Sequence, residues 1–339
     1  MGYELLRCPG CGANLPPPEA PNAIMVCAYC GAVLAGSPGA AWAPTLRPVD
    51  ERPFDPHRPR VSLGGVRYAV MGRLGVGAGS DVFLARRDVR LTELVVLKVA
   101  RHPDEAARLA REQDTLEALQ RSEAQGHEHF SRLLPQPVAQ GELLDAAGEG
   151  RPARASLWRS GYLHTLTEVR SAHPQLDPRA MVWMWKRTLE MLGFVHRAGY
   201  VHGAVLPPHL LVHPRDHGVS LVGWSSATRI DRRSPHEPPR PADAAFYPPA
   251  ALRGAILTPR TDLAMSARCM AWLLGGDAAT GAVPAHVPEA LSALLARSVD
   301  PDAPGAASDA WALKDALDAA AGRAFGPPRF VPFTMPGWR

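Results

Sequence analysis

The chain is 339 residues long, 46% hydrophobic and 21% charged, a balance that supports a buried core and excludes a highly charged disordered polymer. Its 37 basic and 33 acidic residues leave a formal charge of +4, too mild and too scattered for a dedicated nucleic-acid face, so no nucleic-acid partner is expected. No apolar run approaches the roughly 20 residues a membrane helix needs, and no basic and then apolar leader opens the sequence, so a cytoplasmic protein without membrane contact is expected.

The first element in chain order is a pair of Cys-x-x-Cys knuckles, Cys8 with Cys11 and Cys27 with Cys30, separated by fifteen residues. Four thiolates at that spacing can converge on one tetrahedral ion, and Gly12 and Gly31 after the knuckles suit the sharp turn around it. A redox dithiol or two disulfides are the competing readings, but no thioredoxin-type strand and helix pattern surrounds either pair. The pattern resembles a zinc ribbon over residues 1–34. Its zinc would be structural, because four filled ligand positions leave none for water. The ribbon's role would then be docking.

Residues 35–60 are rich in Pro, Gly and Ala, with Pro38, Pro44, Pro48, Pro53, Pro56 and Pro59 and no helical or strand period. They read as a semi-extended linker. The fifth cysteine, Cys269, lies in an apolar stretch and is expected in the core.

Beyond the linker, Leu74 to Ala85 reads as a strand, a glycine turn and a returning strand, with Gly75, Gly77, Gly79 and Ser80 at the turn. A glycine motif alone also suits a dinucleotide-binding turn, which a helix should follow. Here Thr92 to Ala100 continues as another strand, which favours a glycine hairpin lying over phosphates. Lys98 interrupts that apolar strand and needs an anion. The helix predicted over roughly 103–120 supplies one, since Leu109, Glu112, Leu116 and Leu119 recur at steps of three and four and place Glu112 in the apolar stripe. A snorkelling Lys98 with a solvated Glu112 is the alternative. Asp81, at the turn's tip, reads as a solvated turn residue before it reads as a catalytic acid.

Pairing of Lys98 with Glu112 after a glycine hairpin resembles the small lobe of the protein-kinase superfamily. The resemblance runs through the stretch from Val201 to Leu211 and through Leu221-Val222-Gly223-Trp224-Ser225. It implies an α+β fold with a two-lobed protein-kinase-like domain over residues 61–321, the small lobe about 61–162 and the large lobe about 163–321, preceded by the small four-cysteine zinc ribbon. Gly75, Gly77, Ser80, Lys98 and Glu112 would be the nucleotide-side residues, and the hinge would fall near Trp158 to Tyr162.

The large lobe is predicted to open with a long helix over 178–198, where Val182, Trp185, Leu189 and Leu192 keep helical spacing and Gly199 stops the chain. Trp183 and Trp185 read as packing residues, and His202 as a structural histidine beneath Trp224. Ala204 stands where the resemblance implies the proton-accepting Asp, His209 where it implies a magnesium-binding Asn, and Gly223 where it implies a magnesium-binding Asp. Leu206 replaces a basic residue of the same loop. A methyl group accepts no proton, and neutral imidazole is a poor ligand for magnesium, which prefers oxygen in octahedral geometry.

Asp216 reads as hairpin chemistry. In Tyr247 to Leu252, Ala250 replaces the glutamate that the resemblance implies, and Pro304 stands at its arginine partner's position, so both charges are missing together. Asp262 matches an aspartate that anchors the catalytic-loop backbone, though a helix N-cap explains it equally. Helices are predicted over about 288–299 and 307–321. Residues 322–339, with Phe325, Phe330, Phe333 and Trp338, form an apolar tail that either packs back or binds a partner.

With the zinc-ribbon pattern ahead of it, the chain resembles a bacterial zinc-ribbon pseudokinase, and the resemblance implies a catalytically inactive scaffold or regulatory protein that docks signalling partners. The resemblance implies protein partners of the von Willebrand A and PP2C-phosphatase types. ATP or ADP is expected to bind weakly and without magnesium, or not at all. The alternative is an atypical kinase or nucleotide-dependent transferase that uses non-standard acids.

Overall fold

The computed structural model describes residues 59–335, apart from 78, 89–92, 159–161, 163 and 233–238, together with five short strands ahead of residue 59. Strands β1 (Leu6–Arg7) and β2 (Asn14–Leu15) pair antiparallel, as do β3 (Ile24–Val26) and β4 (Val33–Ala35). In sequence, the β1–β2 connection contains Cys8 and Cys11, and the β3–β4 connection contains Cys27 and Cys30. The four cysteines themselves lie outside the described residues. Segment 35–60, expected to be free of strands, contains β5 (Arg47–Pro48), which pairs with β4. As an edge strand β5 tolerates Pro48, a residue with no amide hydrogen to offer a ladder.

By contact density the chain divides into two compact units, one comprising residues 1–113, 136–160 and 335–339 and the other residues 114–135 and 161–334. The first unit is built on a closed antiparallel barrel of β6 (Arg60–Leu63), β7 (Val66–Val76), β8 (Ser80–Arg87), β9 (Glu93–Ala100), β10 (Pro137–Leu144) and β11 (Gly150–Leu157), in the order β10-β11-β9-β8-β7-β6. Leu143 and Leu144 pair with Leu63 and Ser62 to close it. The strand period of two sends Leu63, Tyr68, Val95, Leu97, Val99, Ala153 and Ala155 into one buried core. It sends Lys98 and Arg154 to the other face. After the 3-10 turn Pro103–Glu105 comes α1 (Ala106–Gln120), and the division between the units falls after Gln113 within it.

The second unit is mainly helical. It contains α2 (His127–Phe130), β12 (His164–Thr165), α3 (Leu166–Ala172), α4 (Pro178–Arg197), β13 (Tyr200–Val201), β14 (Leu210–His213), β15 (Gly218–Leu221), β16 (Thr228–Arg229), α5 (Pro249–Leu252), α6 (Pro259–Leu273), α7 (Glu289–Ser298) and α8 (Ala310–Phe325). Helix α4 starts where it does because Asp177 accepts a hydrogen bond from the Arg179 amide at 2.8 Å and Pro178 needs no amide partner. It ends at Gly199, whose φ of +86° belongs to a left-handed cap. Its buried face carries Trp185, Leu189, Leu192 and Phe194; Trp185 Nε1 donates to Ser266 Oγ on α6 at 3.0 Å, so the largest core ring keeps its polar atom satisfied. Each such ring or aliphatic chain contributes about 1.5–3 kcal/mol by leaving water.

Helix α8 runs to Phe325, so the tail begins at Gly326 rather than at 322. Phe325 belongs to the helix and lies under the Arg179 guanidinium at 4.4 Å. Cys269 is fully buried and donates to the Val205 carbonyl at 3.3 Å. Burial raises its thiol pKa well above the ordinary value, which rules it out as a ready nucleophile.

Candidate functional site

In the first unit the structure brings Lys98 and Glu112 together, with Nζ 2.5 Å from Oε2. The carboxylate is almost fully buried. A second cation, missed in the sequence reading, takes its other oxygen: Arg154 Nη1 lies 3.1 Å from Glu112 Oε1. Arg154 stands directly across from Lys98 in the β9–β11 register. Its remaining donors reach Gln113 Oε1 at 3.2 Å and Ser156 Oγ at 2.9 Å. The signal was legible, because a lone arginine in Ala153-Arg154-Ala155-Ser156 poses the same question as Lys98: a charge on a buried strand face needs an anion.

Gly75 lies in β7 and Ser80 opens β8. Between them the turn is tied to its own unit. The Gly77 amide donates to the Ser80 carbonyl at 2.7 Å, and Arg101, at the end of β9, donates to the Gly77 carbonyl at 2.7 Å and the Ser80 carbonyl at 3.4 Å. Arg101 also pairs with Asp81 at 3.2 Å. Asp81 is therefore no solvated turn residue; it is largely buried against a guanidinium. A β-carbon added at Gly79 would meet the Glu105 carboxyl group at 2.1 to 2.5 Å. The absence of a β-carbon at Gly79 lets the Glu105 carboxyl group lie against the backbone as it does here. A phosphate cradle needs free amides and positive potential. Among the described residues of this turn the Gly77 amide is used internally, and the Glu105 carboxylate lies at Gly79.

In the second unit, Asp262 is fully buried and organises the loop after β13. It accepts from the His202 amide at 2.8 Å, the Gly203 amide at 2.9 Å and His196 Nε2 at 2.9 Å. The alternative reading of Asp262 as an N-cap is corrected: Thr258 caps α6, in a reciprocal box with Thr261, and Asp262 lies inside the first turn. Tyr247 adds a hydrogen bond from its hydroxyl to the Gly203 carbonyl at 3.2 Å. Burial, with Asp243 and Asp262 nearby, pushes its phenol pKa well up, so it remains a neutral donor.

His202 lies edge-on to Trp224 at 4.5 Å. Its Nδ1 accepts from the Ala204 amide at 3.2 Å and its Nε2 donates to the Val222 carbonyl at 3.1 Å, a pattern only the neutral ring can make. Ala204 and Leu206 are each 3% exposed, so the loop offers methyl groups where a carboxylate and a cation were looked for.

His209 and Gly223 are coupled. His209 Nδ1 donates to the Ala204 carbonyl at 2.8 Å, and a β-carbon at position 223 would come within 2.6 Å of three atoms of the imidazole. Gly223 has φ +81°, a left-handed conformation. The ring thus fills the space beside Gly223, and any side chain there meets both a clash and backbone strain.

Neither Ala250 nor Pro304 carries a charge, and Arg268 on α6, another residue missed in the sequence, performs a tying role nearby. Its Nε donates to the Val299 carbonyl at 2.9 Å and its Nη1 to the Ala245 carbonyl at 3.0 Å, which holds the segment before α5 and the chain after α7 to one buried side chain. Burial lowers its pKa, as expected for a cation that satisfies carbonyl dipoles instead of a carboxylate. The hinge expected near 158–162 falls partly outside the described residues; Trp158 itself donates its amide to the Leu94 carbonyl at 2.9 Å.

No protein-family profile matches this chain, and no curated protein matches its sequence. Among solved structures it is similar to the kinase domain of a Toxoplasma gondii specific rhoptry antigen, at 17% identity and a TM-score of 0.56, over 79% of this chain and 87% of that one. At that identity the likeness speaks for the fold alone, and the fold is protein-kinase-like.

Proposed function

We propose that this chain is a kinase-like scaffold that docks protein partners and transfers no phosphate. The observation that carries the reading is the His209 ring lying over Gly223 above the Ala204 carbonyl. The positions where phosphoryl transfer would need oxygen ligands and a base are packed with imidazole, a left-handed glycine and a methyl group. The glycine turn supports the same conclusion, since Arg101 and Glu105 occupy it from its own unit. Nucleotide binding is then weak and independent of magnesium, or absent.

The intact anchoring of the loop by Asp262 supports a maintained shape with altered chemistry. The ribbon reading rests on the four thiols, Cys8, Cys11, Cys27 and Cys30, each pair falling between paired strands; such a donor set fits zinc. Protein partners of the von Willebrand A and PP2C-phosphatase types, in a bacterial signalling setting, are what the resemblance described above implies.

One observation favours an atypical kinase or nucleotide-dependent transferase: the Lys98–Glu112 pair is in place. A thermal-shift titration with ATP and ADP, with and without magnesium, beside a phosphate-transfer assay, separates the two. The scaffold reading expects no magnesium-dependent shift and no transfer. A magnesium-dependent shift of several degrees together with transfer to any acceptor would sink it.

A further inference from the structure

The C-terminal segment from Gly326 has no helix or strand of its own among the described residues, yet it is seated on a defined aromatic face of the second unit. His217, in the turn between β14 and β15, lies flat against Trp183 of α4, with ring centroids 4.3 Å apart and planes 2° from parallel. Phe330 stacks on the other side of the imidazole at 4.4 Å. Phe333 packs against Trp183 at 5.9 Å and against His173 at 4.9 Å. His173 Nε2 donates to the Thr334 carbonyl at 2.9 Å, and His217 bonds the Val331 backbone.

Three features set this contact apart from ordinary packing. His217 has φ +50°, a left-handed conformation that the tight turn between β14 and β15 imposes and that fixes where its ring is presented. Trp183 Nε1 and His217 Nε2 are both enclosed with no hydrogen-bond partner among the described residues. An enclosed polar atom left unpaired is unfavourable, so the tail, although it bonds His173 and the other side of the His217 ring, leaves these two nitrogens unmatched. Phe330, finally, remains 67% exposed although it is stacked.

We propose that the Trp183–His217 face is a peptide-docking site, and that its own tail is a displaceable occupant. The ligand class is a short extended peptide with two aromatic side chains three residues apart, as Phe330 and Phe333 are. A carbonyl to accept from Trp183 Nε1 and a polar partner for His217 Nε2 would make such a peptide bind better than the tail. The covalently attached tail competes at high effective concentration, so a free peptide binds the intact chain poorly.

The test uses the full chain and a synthetic peptide of residues 326–335. A chain carrying Phe330→Ala and Phe333→Ala should bind the labelled peptide at least tenfold more tightly than the unsubstituted chain. Binding should vanish when both phenylalanines of the peptide are replaced by alanine, and fall at least tenfold when Trp183→Ala is added to the chain. A second readout needs no variant: amide exchange over 326–335 in the unsubstituted chain should rise when unlabelled peptide is added in large excess. Absence of saturable binding to the doubly substituted chain, or binding indifferent to the peptide's aromatic pair, with tail exchange unchanged by peptide, would overturn the proposal.

Discussion

His209 decides what can stand at position 223, because its imidazole occupies the volume that a side chain on Gly223 would take. The relationship decides what an acid placed at position 223 would meet. Gly223→Asp introduces a clash with the ring and a β-carbon at φ +81°. Its expected cost is about 2–4 kcal/mol, from a left-handed non-glycine residue plus overpacking. Urea unfolding measures it. His209→Asn in the same chain should recover at least half of the loss, and a Gly223→Asp protein as stable as the parent would show that the ring does not hold that space.

Glu112 is shared between two cations, and they are unequal. Arg154 is buried and uses three of its donors, whereas Lys98 is partly exposed and uses its ammonium on the same carboxylate. Arg154→Met should cost about 3–5 kcal/mol, the usual range for breaking a buried pair, and Lys98→Met about 1–3 kcal/mol, because Arg154 still neutralises Glu112. Equilibrium denaturation of the two variants ranks them. A larger loss from Lys98→Met would reverse this assignment.

Docking of the tail should weaken in acid. Burial first, and then the Arg187 guanidinium on α4, hold the His217 pKa below the usual 6.5, with the Val331 backbone bond opposing them. A ring that stays neutral in the docked form binds fewer protons than in the released form, so docking is fully present above the ordinary histidine pKa and weakens as pH falls through it. Amide exchange over residues 326–335, corrected for intrinsic rates, should be faster at pH 5.5 than at pH 7.5. His217→Phe, which keeps a stacked ring, should remove that dependence.

The cysteine pairs make a compositional prediction. The purified chain should carry about one zinc ion, and Cys8→Ser should release it or reduce its retention at least tenfold in chelator. Metal analysis by mass spectrometry reads both values. Full zinc retention in Cys8→Ser would remove that thiol from the ligand set.

Much of the candidate site was legible before any fold was known. Lys98 and Glu112 could be matched because strand and helix periods are local, and each period says which face a side chain takes. Ala204, His209 and Gly223 stand out in the sequence as positions without a carboxylate, and the fold brings them together through the His209 ring. A distant partner leaves no local signal: Arg101, twenty residues on, neutralises Asp81, and β5, only two residues long, is too short to show a period.

The sequence by itself determined the residue types available and the helical and strand faces, which depend on neighbours a few positions apart. Tertiary structure alone decided that Arg154 shares Glu112 with Lys98, that His209 fills the space beside Gly223, and that Phe330 and Phe333 rest on His217 and Trp183. Those outcomes depend on strand register, on the angle of packed helices and on which buried charge finds which counter-charge, and each pairs residues whose separation along the chain carries no local signal.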